Sequence, residues 1–349
     1  MVKYHIVGQG IAGTVLAMEL LRRGETLIIS NDPTLSNSSR TAAGLFNPLV
    51  FKKLSKTWMA EEVFPAAEHF YKRAEEQLKT SLYHELPLLR VFGTEFEAKD
   101  WETKKTIPEI AQYIQEENND PAEQHFNRRF GTGWVKHAGY VDTNVFLTEA
   151  KKLFESQTIY REQKTDYNSI HPSGDGWICN DIESEHIIFC EGWLGKMNPF
   201  FSWLPFNPAK GNVLHIRKKE LNLSCIINGG VFILPTGNHE FRVGATFSWD
   251  EFNDLPTEKG RKELCDKLNA LLDSDFEILT QMAGVRPATI DRRPFLGSHP
   301  TEKGIHIFNG LGTRGVVLAP YLSRIMADFL NENKALPEDV DIRRHTKTV

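Results

Sequence analysis

Apolar and polar positions along the 349-residue chain change period several times, and those changes mark out its elements. Tyr4, Ile6 and Val7 predict a short strand. Val15, Leu16, Leu20 and Leu21 then recur at helical spacing up to Arg23, where Gly24 ends the helix, and Thr26 to Ile29 predicts a second buried strand. Thr57 to Lys79 reads as an amphipathic helix whose apolar members include Trp58, Val63, Phe70 and Tyr71; packing is the expected role of Trp58 and Tyr71. Residues 85–134 are mixed and interrupted by proline, and the acidic run Glu116 to Glu123 predicts a solvated loop. A helix over Asn144–Phe154 follows, with strand-like pieces at Thr158–Tyr160, Gly176–Cys179 and His186–Cys190. From Gly211 the texture becomes that of successive antiparallel strands: Asn212–Arg217, Leu223–Ile227, Val231–Leu234 and Glu240–Thr246. Pro256–Leu272 is an amphipathic helix, Ala283–Gly297 is extended, Ile305–Phe308 is a strand and Val316–Asn331 a final helix.

Two glycine-rich turns stand out against this pattern. Gly8, Gly10 and Gly13 have the spacing G-x-G-x-x-G, directly after one strand and opening a helix that a second strand follows. In that context Gly8 permits a tight turn, Gly10 lets backbone approach a pyrophosphate, and Gly13 lets helix and strand pack closely. Where an acid usually meets the ribose hydroxyls the chain has Asn31, with Asp32 next; Asn still hydrogen-bonds a diol, without charge. Asn309-Gly-Leu-Gly-Thr-Arg-Gly315 is a second turn between strand and helix, so a cofactor contacted from both ends of the chain is expected. Residues 36–48 are small and polar and then glycine-containing, which suits either a plain surface loop or backbone passing close to a ligand.

Composition narrows the field only modestly. The length points to two intimately joined domains. A net charge of −5 supplies no general attraction to nucleic acid or anionic membrane. No apolar stretch approaches the length of a bilayer span, and with the first strand starting at residue 3 no signal peptide is expected. Cys179, Cys190, Cys225 and Cys265 are scattered without a C-x-x-C pair, so free thiols in a reducing cytoplasm are expected and a metal site is not.

Taken in order, the landmarks resemble the D-amino-acid oxidase superfamily of FAD-dependent oxidoreductases over nearly the whole chain. Gly8-Gln-Gly-Ile11-Ala12-Gly13 is similar to its ADP-binding turn, and Ser38-Ser39-Arg40-Thr41-Ala-Ala43-Gly44 to the segment lying along pyrophosphate and flavin. Ile187 to Trp193 resembles the family's hydrophobic strand ending in A-G-x-W, with Gly192 and Trp193 at its end. Pro208-Ala-Lys-Gly-Asn212 and Phe241-Arg-Val-Gly-Ala-Thr246 resemble its substrate-sheet strands. Gly284-Val-Arg286-Pro and Gly310-Leu-Gly312-Thr313-Arg314-Gly315 resemble its C-terminal signatures.

The resemblance implies an α/β chain, α+β overall: a doubly wound, Rossmann-like FAD domain from residues 1–85, 138–206 and 283–349, and a substrate domain on an antiparallel sheet from 86–137 and 207–282. It implies noncovalent FAD, since no cysteine follows Pro294-Phe-Leu-Gly297 and Thr41 stands where some relatives attach flavin through His. It also implies hydride transfer from a C–N carbon of an amino acid or substituted amine. Arg286 would then grip a substrate carboxylate, a structural ion pair being its other reading, and Arg242 would promote oxygen reduction. No histidine is nominated as a catalyst. Phe232 replaces a frequent Tyr, Leu311 a frequent His and Lys210 a frequent Arg, which leaves the substrate open. Oxidase and dehydrogenase both remain open, as does the oligomeric state. Two other readings stand beside this one. One is a branch that oxidises a glycine-like group on a tRNA wobble uridine, with Lys52, Lys53, Lys56, Lys151 and Lys152 as a basic track against an acidic overall balance. The other is an FAD-binding protein without catalysis.

Overall fold

The computed structural model describes residues 1–35, 38–115, 124–272 and 275–346. The acidic run 116–123 lies outside them. Strand Val2–Val7 sits at the centre of the first sheet, parallel to Leu27–Asn31 on one side and to Ile182–Phe189 on the other. Tyr160–Glu162 extends the sheet beyond Leu27–Asn31, and Ile305–Asn309 runs parallel along the last turn of Ile182–Phe189. Gly176–Cys179, His171–Ser173 and Phe295–Ser298 add antiparallel edges. Parallel strands need both faces covered. Ile6, Ile29, Ile188 and Phe308 pack beneath helices Ile11–Arg22, Ala60–Leu78, Thr143–Ser156 and Gly315–Glu332. Val7, Ile187, Phe189 and Ile307 point the other way, into a layer of Trp177, Phe201, Leu204 and Phe206. The carboxyl ends of the parallel strands thus gather on one edge, the usual place for a ligand in such a sheet.

The second sheet runs, in spatial order, Glu277–Arg286, Ala209–Arg217, Glu240–Gly244, Phe232–Gly237, Ile226–Asn228, Leu88–Val91, Thr132–Val135 and Ile114–Gln115. Its pairs are antiparallel except Ile226–Asn228 with Leu88–Val91. Strand alternation splits its faces. Leu89, Leu214, Ile216, Ile227, Ile233 and Val243 pack against Leu264, Leu268 and Leu271 of helix Glu258–Leu271, which Thr257 caps by accepting from the Gly260 N–H at 3.1 Å. The alternate residues Arg90, Asn228, Phe232 and Val213 face a cleft. Two expectations shift here. The strand expected over Leu223–Ile227 is Ile226–Asn228, with Leu223 and Cys225 buried just ahead of it. The extended stretch expected from Ala283 begins earlier, at Glu277, as an edge strand.

Among the described residues no helix is long and apolar enough to cross a membrane, and no group of side chains is poised to hold a metal ion. The four cysteines are free, and Cys265 alone among them is not fully buried. Trp58 and Tyr71 pack as expected, Tyr71 donating its hydroxyl to Val316 O at 2.9 Å.

Two buried histidines make the fold acid-sensitive. Burial pushes His306 down to about 3, with His186 against it, and His5 down to about 4. His306 shares hydrogen bonds with Ser298 and His186, and His5 with Ser30. A group whose pKa is depressed by folding is neutral in the native state, so its contribution is complete above the unfolded value near 6.5 and is lost as pH falls towards the folded one. Unfolding free energy should drop by about 1.4 kcal/mol per pH unit per histidine below pH 6, while the Glu191 carboxyl, raised to about 7, takes up its proton over the same range and offsets about one histidine's share. Denaturant melts between pH 6.5 and 5, above the titration of ordinary carboxylates, read this directly; a flat profile there would contradict it.

Candidate functional site: a cleft between two sheets

The first glycine turn is shaped by close backbone approach. Gly8 has φ +106°, and a Cβ there would lie 2.6 Å from Cys190 O. A Cβ on Gly13 would fall 1.9 Å from Gly8 O, far inside contact distance. Gly10 is the N-cap of helix Ile11–Arg22, with no side chain capping it, and Ser39 Oγ accepts from the Ile11 N–H at 3.1 Å. The second turn lies against the first: a Cβ on Gly315 would sit 2.9 Å from Ile11 Cγ2. Two helix N-termini therefore meet at one place, each with positive dipole character suited to phosphate or developing negative charge.

These turns border a cleft of about 790 Å3 between the sheets. The catalytic and cofactor-binding residues expected from the sequence all line it, except Gly13, Arg40, Thr41, Arg242 and Gly310. Gly13 lies under the turn it permits. Arg40 turns away and donates to Thr148 Oγ1 at 3.1 Å. Thr41 donates its hydroxyl to Ala283 O at 3.2 Å and accepts on its own carbonyl from Arg242 Nη2 at 2.5 Å. Arg242 thereby braces the Ser38–Thr41 helix against the second sheet; burial lowers its pKa, with Asp142 opposing. Gly310, at φ +76°, is held by its N–H to Asn309 Oδ1 at 2.8 Å. Asn31 and Asp32 reach the cleft already engaged. Asn31 Oδ1 accepts from the Gln9 N–H at 3.0 Å, and Asp32 Oδ1 accepts from Thr34 N and Oγ1.

Arg286 is the most isolated charge in the site. Its guanidinium donates to Thr246 O from both terminal nitrogens at 3.2 Å and to Ala209 O at 3.5 Å, and the Phe247 ring lies 4.1 Å from its Cζ. Gly211 makes room for it, since a Cβ there would be 2.2 Å from Arg286 Nη2. Burial pulls its pKa down to about 10, so it stays protonated at neutral pH. No carboxylate pairs with it among the described residues. Arg314 is likewise desolvated and donates to Thr57 Oγ1. Arg90, Lys164, Arg286 and Arg314 line the cleft against two carboxylates, Asp32 and Glu191. That excess of positive charge suits anionic ligands.

Several of these residues carry no local signal in the sequence. Asn309 donates to Gly192 O at 2.8 Å and so ties the two strand ends together. Glu191 accepts from Tyr167 Oη at 2.6 Å and Asn198 Nδ2 at 2.7 Å, and burial pushes its carboxyl up to about 7 despite both donors. Arg90 reaches the cleft through its place in strand Leu88–Val91, and Phe247 from the loop after Glu240–Gly244.

Fold and site together define a dinucleotide-binding protein with an anion-accepting cleft closed by a second sheet. The family model described as FAD dependent oxidoreductase (DAO) matches residues 3–329, and the chain belongs to that family. It is 24% identical over 358 residues to the tRNA 5-methylaminomethyl-2-thiouridine biosynthesis bifunctional protein MnmC of Marinobacter nauticus, covering 95% of this chain and 56% of that protein. It is 22% identical over 356 residues to glycine oxidase of Pseudomonas aeruginosa, covering 93% of this chain and 94% of that protein. The crystal structure of glycine oxidase from Geobacillus kaustophilus superposes with a TM-score of 0.79 at 19% identity, over 96% of this chain and 95% of that one. The protein is an FAD-dependent oxidoreductase, and its residues fit the cofactor. Side chains are excluded at Gly8 and Gly13, where a dinucleotide needs backbone, and the Gly10 and Arg314 helix starts would hold phosphate and flavin.

Proposed function

We propose that this protein oxidises the C–N bond of an amine bearing a carboxylate, an amino acid or N-substituted glycine. Arg286 carries the reading: a guanidinium in the cleft, largely stripped of water, held by backbone carbonyls and without an acidic partner among the described residues. A carboxylate is the ligand that matches its fork and ends its isolation. Bound FAD supplies the acceptor for a hydride from the carbon bearing nitrogen, leaving an imine that water hydrolyses. What the chain itself supplies is placement. Arg286 fixes the carboxylate and with it the adjacent carbon, while Phe247 covers the guanidinium face and strengthens the pairing by excluding water. Phe232 and Leu311 offer apolar walls, which favour the neutral amine that hydride loss requires. Anaerobic addition of glycine, sarcosine, proline or D-alanine to the holoenzyme should bleach its visible absorbance with at least one of them. Bleaching by none would favour an FAD-binding protein without this activity.

A second reading, oxidation of a glycine-like group carried on tRNA, draws support from the match to MnmC and from Phe247 and Trp249, which are 52% and 55% exposed. The lysines that would form its basic track argue the other way. Lys56 pairs with Glu61, Lys151 with Glu155 and Glu162, and Lys152 with Glu149. RNA binding that falls steeply with salt would favour this second reading.

A further inference from the structure

The cleft holds a second guanidinium, built much as the first. Arg90 projects from Leu88–Val91 on the cleft face, with only 12% of its side chain exposed. Its Nη1 donates to Asn228 O at 3.3 Å and to Asn228 Oδ1 at 2.5 Å, its Nη2 donates to Glu97 Oε2 at 2.8 Å, and the Phe51 ring lies 5.2 Å from its Cζ. Arg286 likewise has carbonyls on its edge and an aromatic ring on its face. Glu97 neutralises Arg90 only in part. The same oxygen accepts from the Gly93 N–H at 3.0 Å, within the helix start that Thr94 caps, so the ion pair is single-pronged. Arg90 is therefore rigidly aimed while keeping N–H donors beyond those three bonds, since a guanidinium has five.

We infer that Arg90, with Asn228, forms a second anion subsite, and that the substrate carries a further acidic group besides the carboxylate held by Arg286. This rests on the reading of Arg286 as a carboxylate site. Register fixes the spacing. Arg90 lies opposite Asn228, Asn228 opposite Phe232, and Phe232 opposite Gly244, two residues before the Thr246 carbonyl that anchors Arg286. Counted from Asn228, whose carbonyl and side chain hold the Arg90 guanidinium, two strand spacings and two residues along the chain put the guanidinium anchors roughly 10–12 Å apart. With a carboxylate about 4 Å from each guanidinium carbon, roughly two to four linking atoms bridge the gap. Between the two subsites lie Phe232 and Gly244, an apolar floor without competing charge. The class is a short amino diacid or an N-carboxyalkyl glycine.

The test is binding of nonreactive probes to the holoenzyme, read from the flavin's visible spectrum without turnover. Glutarate should half-saturate at a concentration about 10-fold or more below that of its monoamide, glutaramate, which keeps size and one carboxylate. Arg90→Gln should bring that ratio to within about twofold, and Arg90→Lys should keep part of it, because charge survives and the fork does not. Arg286→Ala should weaken both probes. Equal binding of the two probes by the wild-type protein overturns the inference, and this comparison needs no variant to fold. A ratio unchanged in Arg90→Gln overturns it too. If no amino acid bleaches the flavin while the glutarate preference persists, the proposed reaction falls and the two-anion cleft stands.

Discussion

Arg286→Ala should raise the half-saturating concentration of a carboxylate-bearing amine by about 100-fold or more, the equivalent of two charge-assisted hydrogen bonds. Rapid-mixing reduction of the flavin measures it, with the flavin absorbance confirming that cofactor is still bound. Arg286→Lys should recover little, because an ammonium cannot donate to Thr246 O and Ala209 O while presenting a fork to the ligand. The desolvation that isolates Arg286 is what makes the effect large. In water the same pair would contribute far less. An affinity lowered less than about threefold by the alanine variant would mean that the carboxylate sits elsewhere, and the proposed reaction would lose its main support.

Gly13→Ala should cost more than about 3 kcal/mol of stability and most of the bound FAD. The added carbon would meet the Gly8 carbonyl at 1.9 Å, and Gly8 is itself tied by its N–H to Ser30 O at 2.8 Å. Overpacking by a single methyl is usually absorbed by a side chain, but here the nearest obstacle is main chain. Flavin content after purification and a thermal melt measure the two consequences together. Gly24→Ala is the comparison, since nothing lies within 4 Å of a Cβ there and only its φ of +81° is at stake. If Gly13→Ala purified with full flavin and an unchanged melt, the turn would not be as tight as its geometry states.

How much of this was legible in the chain depended on whether the signal was local. Glycine spacing after a strand announces itself in six residues, so the first turn and the helix after it were readable. Arg286 stood out through its place beside Pro287 and within a family-like stretch. The edge strand Glu277–Arg286 was half hidden because an edge tolerates Glu277, Thr280 and Gln281, which break the apolar alternation a reader looks for. Leu88–Val91 follows Pro87 in a polar neighbourhood and pairs with a segment far along the chain, so nothing nearby marks it as a wall of the site. Arg40 shows the opposite failure. Its sequence neighbours reach the cleft, yet its own side chain leaves for Thr148. Direction of projection is set by packing, and spacing alone does not carry it.

The central place of strand Val2–Val7 also has a meaning in time. One of its two neighbours, Ile182–Phe189, is synthesised on the order of ten seconds or more after it at ordinary elongation rates. The second glycine turn, which touches the first at Ile11, comes later still. A nascent chain therefore carries half a nucleotide cradle with an apolar strand edge exposed, and cannot complete that cradle until the second glycine turn exists. Flavin capture should follow synthesis of the second turn, and shortage of FAD during expression should leave a chain whose two glycine turns have not found each other.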